Sequence, residues 1–119
     1  MKNLLTVISA ALLIAAPATA QPTLAEAQAE LNQAKIENCQ ARSVLAERMM
    51  RAHHRGMPLA RVLEIANRSR VEEARRTMVR IVMEAYASPR YRTAQAQSRA
   101  QGEFRDEQLR LCYIEQGIQ

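Results

Sequence analysis

Thr23–Gly56 reads TLAEAQAELNQAKIENCQARSVLAERMMRAHHRG, a run with no proline and with its single glycine at the final position. It shows no period-two alternation. Instead Leu24, Ala27, Leu31, Ala34, Asn38, Ala41, Leu45 and Ala52 recur at spacings of three, four or seven, which is the spacing of one helix face. Thr23 followed by Glu26 is a capping box, in which the two side chains satisfy each other's free backbone N–H groups. Gly56 is a C-terminal stop, because glycine adopts left-handed backbone without a Cβ clash. The run therefore predicts one long helix. Its first half is rich in Ala, Gln and Glu and weakly apolar, so residues 21–38 are expected to form a helical arm and residues 39–119 the compact domain.

The chain downstream continues in the same idiom. Pro58 suits the first turn of a helix, and Leu59, Val62, Leu63 and Ala66 form a short amphipathic pattern. Asn67–Ser69 is a break, and Ser69 with Glu72 is read as a second capping box. Val71, Ala74, Met78, Ile81, Val82 and Ala85 mark a third helix. It should end at Ser88, because the residue before Pro89 avoids helical geometry. Thr93 is expected to cap a fourth helix with Ala100, Phe104, Leu111 and Cys112 on its buried side and Gly117 closing it. The expected fold class is all-α, a small bundle of about four helices with no strands.

Upstream, Met1–Ala20 has the pattern of a cleavable signal peptide. Lys2 supplies the positive charge, Leu4 to Ala16 the apolar run, Pro17 the break, and Ala18-Thr19-Ala20 the small-x-small cleavage site. The apolar run, about 13 residues, is shorter than the roughly 20 that a spanning helix needs. An uncleaved amphipathic anchor is the other reading. The expected product starts at Gln21, is periplasmic or secreted, and has no further segment apolar enough to span a bilayer.

Export changes how the charge and the cysteines are read. The whole chain carries a net charge of +5. Without Lys2 the sixteen remaining basic residues exceed twelve acidic ones by four, and Lys35 is the only lysine among them. Outside the cytoplasm nucleic acid is not the expected partner, and acidic proteins, anionic head groups or wall polymers take its place. Cys39 and Cys112, 73 positions apart, are the only cysteines. An even count in an oxidising compartment implies a disulfide between the first and last helices. A redox dithiol would want a Cys-x-x-Cys spacing.

Three surface features are candidates for binding. Met49, Met50, His53, His54 and Met57 place thioethers and imidazoles four apart on helix faces, a ligand set that suits copper. Against this, methionine in helices usually packs in the core, and Arg51 and Arg55 would oppose a cation. No metal or other cofactor is assigned, and copper is kept as the alternative. The second feature is Ala85–Thr93, where Tyr86, Arg90, Tyr91 and Arg92 surround a proline turn. Tyrosine and arginine are enriched at binding hot spots, so these four are the candidate partner-binding residues. The third is Arg68, Arg70, Arg75, Arg76 and Arg80, a face normally solvated and laced by weak pairs with Glu72 and Glu73. Serine, histidine and acid residues fall in no motif context, and no catalytic residue is assigned.

At the proline turn the chain also resembles an uncharacterised family of short exported proteins of proteobacteria and of tailed phages or prophages. The resemblance runs from about Cys39 to Tyr113, on Cys39, Met50 with Gly56, Ala85-Tyr86, Pro89-Arg90-Tyr91, Thr93, Gln97, Phe104-Arg105-Asp106 and Cys112-Tyr113. It implies a signal peptide followed by a small helical domain with paired cysteines. It implies no activity, and positions matching His53 and His54 are not typically histidines in that family.

The expected function is that of a non-enzymatic exported protein that binds another protein in the cell envelope. Copper binding through the Met/His cluster is the alternative. A weaker alternative is an acid-stress chaperone. With carboxylates neutralised, sixteen basic side chains and two histidines would carry +18 before the N-terminus, enough repulsion to loosen the bundle.

Overall fold

The computed structural model describes residues 21 and 23–118; the signal-peptide pattern at residues 1–20 lies outside them. Four helices follow in order: α1 Leu24–His54, α2 Leu59–Ala66, α3 Glu72–Ala87 and α4 Ala94–Gln116. No strand occurs among the described residues.

Local chemistry sets the helix ends. Thr23 and Glu26 form the expected box, each backbone N–H donating to the other's side chain at 3.2 Å. At the far end of α1, Gly56 takes φ +79°. Its N–H donates to the His53 carbonyl and that of Met57 to the Ala52 carbonyl, so two orphan carbonyls are satisfied as in a Schellman motif. Gly117 ends α4 by the same pair of bonds, to Ile114 and Tyr113. Thr93 Oγ1 caps α4 by accepting from the Ala96 N–H at 3.2 Å.

Two boundaries differ from expectation. Ser69 does not cap α3: Val71 is the N-cap, with no side-chain bond. The Ser69 hydroxyl donates instead to the Val71 carbonyl at 3.4 Å, because the chain bends two residues before the helix begins. Pro58 is the N-cap of α2 rather than its first helical residue, with extended backbone at ψ 139°.

α1 packs chiefly along α4 and secondarily along α3, and α2 folds onto α3. Cys39 meets Cys112, Glu47 meets Arg105, and His54 meets Gln101, so α1 and α4 are antiparallel. The core holds Ala46, Met49, Met50, Val62, Ala66, Ile81, Val82 and Ala85, with Leu45, Met57, Met78, Tyr86 and Phe104 packed against it. The predicted face of α1 is out of phase with the buried one. Cys39, Ser43, Ala46, Met50 and His54 are buried, whereas Leu24, Leu31, Asn38 and Ala41 are exposed. Cys39, Ser43 and Ala46 on the buried face are small, and the larger Leu45 is half-buried in a groove toward α3. On α4, Phe104 and Leu111 are half-buried, and Gln108 is buried beside Cys112.

The disulfide joins Cys39 to Cys112 with the two Cα atoms 5.5 Å apart and both residues fully buried. α1 runs without interruption across residue 38. Its residues 24–34 are exposed throughout, and contact with α4 begins at Lys35, whose Nζ donates to the Gln116 carbonyl at 3.5 Å. No helix of the described residues is long and apolar enough to cross a membrane.

Candidate functional site

The chain between α3 and α4 wraps over the C-terminal end of α1, and the candidate residues gather there. Residues 88–93 form a strap pinned at several points. The Ser88 carbonyl accepts from His53 Nε2 at 2.8 Å. Arg90 Nε donates to the His54 carbonyl at 3.3 Å, so an arginine satisfies one of the free carbonyls at the end of α1. The Tyr91 carbonyl accepts from Gln97 Nε2 at 2.8 Å, which ties the strap to the first turn of α4. A bare Gly56 gives Arg90 its seat. A Cβ there would stand 2.6 Å from Arg90 Nη2.

Aromatic contacts complete the corner. His53 packs on Tyr86 with ring centroids 4.6 Å apart, and His54 meets Tyr91 edge-on at 5.9 Å. The Tyr86 hydroxyl donates to the Met57 carbonyl at 2.6 Å. Burial pushes that phenol's pKa up, consistent with a neutral donor. Of the four residues singled out at this turn, Tyr86 is thus turned inward as a pin, whereas Arg90, Tyr91 and Arg92 are exposed.

His54 stands at the centre. It is 5 % exposed, and its Nδ1 lies 3.2 Å from Gln101 Nε2. With the Gln101 amide nitrogen as donor, Nδ1 accepts, and a neutral ring then carries its proton on Nε2. That Nε2 is the one buried side-chain nitrogen or oxygen among the described residues without a hydrogen-bond partner. Burial, reinforced by the neighbouring His53, holds its pKa below 6.5; a hydrogen-bonding contact with the Pro89 backbone opposes the shift and the Arg90 charge adds to it.

Two hollows flank His54. One, of about 220 Å³, is lined by Arg51, His54, Arg55, Ala94, Gln97, Ser98 and Gln101. The other, of about 480 Å³, is lined by His54, Arg90, Tyr91, Arg92 and Gln97. Neither has a carboxylate in its wall. Arg51 is paired with Glu47 at 3.2 Å, whereas Arg55, Arg90 and Arg92 have no carboxylate within 4.0 Å among the described residues. The corner therefore offers hydrogen-bond donors and positive charge rather than an acid/base pair.

The other candidates are distributed differently. Met49, Met50 and Met57 belong to the core and its immediate packing. His53 and His54 each use one ring nitrogen within the fold. Among the described residues no three His, Cys, Asp or Glu groups are placed to hold a metal. On the arginine-rich face, Arg76 pairs with Glu72 at 2.5 Å, Arg80 with Glu84 and Glu115, and Arg68 with Glu64 at 3.9 Å. These are exposed pairs of small individual worth.

One concavity had no sequence signal as a site. Between α1 and α3, Leu45, Val71, Met78 and Ile81 floor a groove of about 480 Å³ rimmed by Asn38, Arg42, Glu73 and Gln116. Asn38, Ala41 and Leu45, part of the stripe read in α1, line this groove, with Leu45 also packed against the core. No family model matches this chain, and no curated protein and no solved structure is similar to it at a significant level.

Proposed function

We propose that this is an exported, non-enzymatic interaction module that engages a protein partner through the strap Arg90–Arg92. The observation that carries the reading is the pinning of the strap. Three bonds hold residues 88–91 against α1 and α4 while Arg90, Tyr91 and Arg92 stay exposed, Tyr91 at 40 %. Residues of hot-spot type on a pre-ordered loop lose little conformational entropy on binding. Export is supported by the pattern at residues 1–20 and by the joined cysteines, since disulfides persist in oxidising compartments. The resemblance to short exported proteins of proteobacteria and phages points the same way and is silent on mechanism.

The test is crosslinking in intact cells from a photoreactive residue placed at 92, followed by mass spectrometry. A specific partner is expected, and Tyr91→Ala should abolish its capture without changing the melting temperature. Failure to capture any protein, or capture indifferent to Tyr91→Ala, would overturn the proposal.

A further inference from the structure

We infer that the two hollows flanking His54 form one binding site for the side-chain carboxylates of an acidic peptide segment. The inference rests on the interaction reading above and names what the corner recognises.

Four independent features converge. The walls of both hollows supply donors: the guanidinium groups of Arg51, Arg55, Arg90 and Arg92 and the amides of Gln97 and Gln101. No acidic residue lines either. His54 belongs to both, and its Nε2 is buried without a hydrogen-bond partner. Leaving such a group unpaired is unfavourable, and a carboxylate oxygen would satisfy it. The first turn of α4, through Ala94 and Gln97, adds the positive end of a 23-residue helix.

The same features exclude the opposite charge. A cation would face three arginines that have no carboxylate partner among the described residues. They also favour a peptide over a membrane. A bilayer-binding surface presents basic residues around apolar side chains that can insert. Here Tyr91 is the only exposed large hydrophobic residue lining either hollow. Because the hollows share His54 and Gln97, two neighbouring acidic side chains could occupy them together. Arginine forks match planar carboxylates in bidentate fashion.

The probe is a fluorescent hexaglutamate peptide, titrated at low salt into the purified exported protein with its disulfide intact. Binding is expected to weaken as salt rises. Arg55→Gln and Arg92→Gln, both at exposed positions, should each weaken it about threefold and together about tenfold, as for exposed charge pairs. Arg68→Gln, which lines neither hollow, should leave it unchanged. In NMR spectra the His54 Nε2–H should become protected from exchange on binding. Inorganic phosphate, able to fill only one hollow, should compete weakly, and phosphatidylglycerol vesicles should not bind. Equal loss in Arg68→Gln and Arg92→Gln, an unmoved His54 signal, phosphate as effective as the peptide, or vesicles bound in preference to it would each overturn the inference. Absence of peptide binding with crosslinked capture intact would sink this inference and leave the partner reading standing. Peptide binding with no captured partner would do the reverse.

Discussion

Arg90 and Gly56 are in direct contact across the top of α1: the guanidinium occupies the space where a Cβ at residue 56 would be, 2.6 Å from Nη2 and 3.1 Å from Cζ. Gly56 also sits at φ +79°, where an L side chain is strained. Gly56→Ala is therefore expected to lower unfolding free energy by about 1–2 kcal/mol and to displace Arg90 from the His54 carbonyl. In the double variant with Arg90→Ala the clash is gone and the backbone strain remains. Urea denaturation of the four proteins of the cycle measures both parts. A Gly56→Ala protein as stable as the wild type would contradict the assignment.

The Cys39–Cys112 bridge closes a loop of 73 residues. Chain-entropy reasoning gives a closure of that length about 4 kcal/mol. Reduction, or the paired Cys39→Ala and Cys112→Ala change, should lower the melting temperature by about 15–30 °C. Both sulfurs are buried, so reduction by dithiothreitol should be slow until denaturant is added. A melting curve unchanged by reduction would show that the bridge adds nothing to stability.

Gly102 lies inside α4, and a Cβ there would meet only Arg105 Nη2, at 3.8 Å. That is ordinary contact, so the main effect of adding a methyl is on helix propensity. Gly102→Ala should stabilise the protein by about 0.5–1 kcal/mol. Differential scanning calorimetry gives the sign directly.

Acid should weaken the bundle at two sites. Glu115 is held below its ordinary pKa of 4.5, first by the hydrogen bond from Arg42, with partial burial opposing and the charges of Arg42 and Arg80 adding. A depressed carboxylate contributes stability above its unfolded pKa and loses it as pH falls through the folded value. The pair is half solvated, so Glu115→Gln should cost about 0.5 kcal/mol at neutral pH and flatten the stability profile below pH 4.5. His54 behaves with the same sign higher up. Its folded pKa is depressed below 6.5, so the neutral ring's stabilisation is complete above that value and declines as pH falls below it. An NMR titration of the His54 ring should show a midpoint under 6.5, and a midpoint above it would contradict the burial argument.

Gln108 supplies the clearest case of a residue whose role was not legible. It is 2 % exposed, and its Nε2 donates to Glu84 Oε2 at 2.5 Å, linking α4 to α3. Gln108→Leu keeps the volume but abandons Glu84, and a loss of about 1–2 kcal/mol is expected from the lost bond. Thermal melts against Glu84→Gln would separate the bond from the packing.

What could be read in advance follows from where the physics is local. Thr23, Gly56, Pro89, Thr93 and Gly117 act through their own backbone or their nearest neighbours, and they mark helix ends in the structure as they do in the sequence. The phase of α1 depends on what packs against it. Hydrophobicity ranks Leu31 and Leu45 above Ser43 and Ala46, yet Ser43 and Ala46 are buried, because the face that meets α4 through Cys39 carries them. Gln101 and Gln108 on α4 gave no signal for the same reason, and Gln97 stood out only through the resemblance. A buried glutamine is tolerable only with a partner, which for Gln108 is Glu84 on α3; Gln101 likewise meets His54 on α1, and Gln97 the Tyr91 carbonyl six residues back. At the corner, the strap residues could be named from their types. The pairing of His54 Nδ1 with Gln101 needed the fold.

The buried bridge also decides how the molecule would bear load. With handles attached at Thr23 and Ile118, tension entering the first turns of α1 would reach Cys39 and leave through Cys112, crossing a covalent bond instead of the helix packing between them. The core and the pinned strap lie inside the closed span and would be spared the force. Extension would be confined to the two short flanks, and an oxidised molecule that is pulled out and then relaxed would keep the corner around His54 assembled throughout.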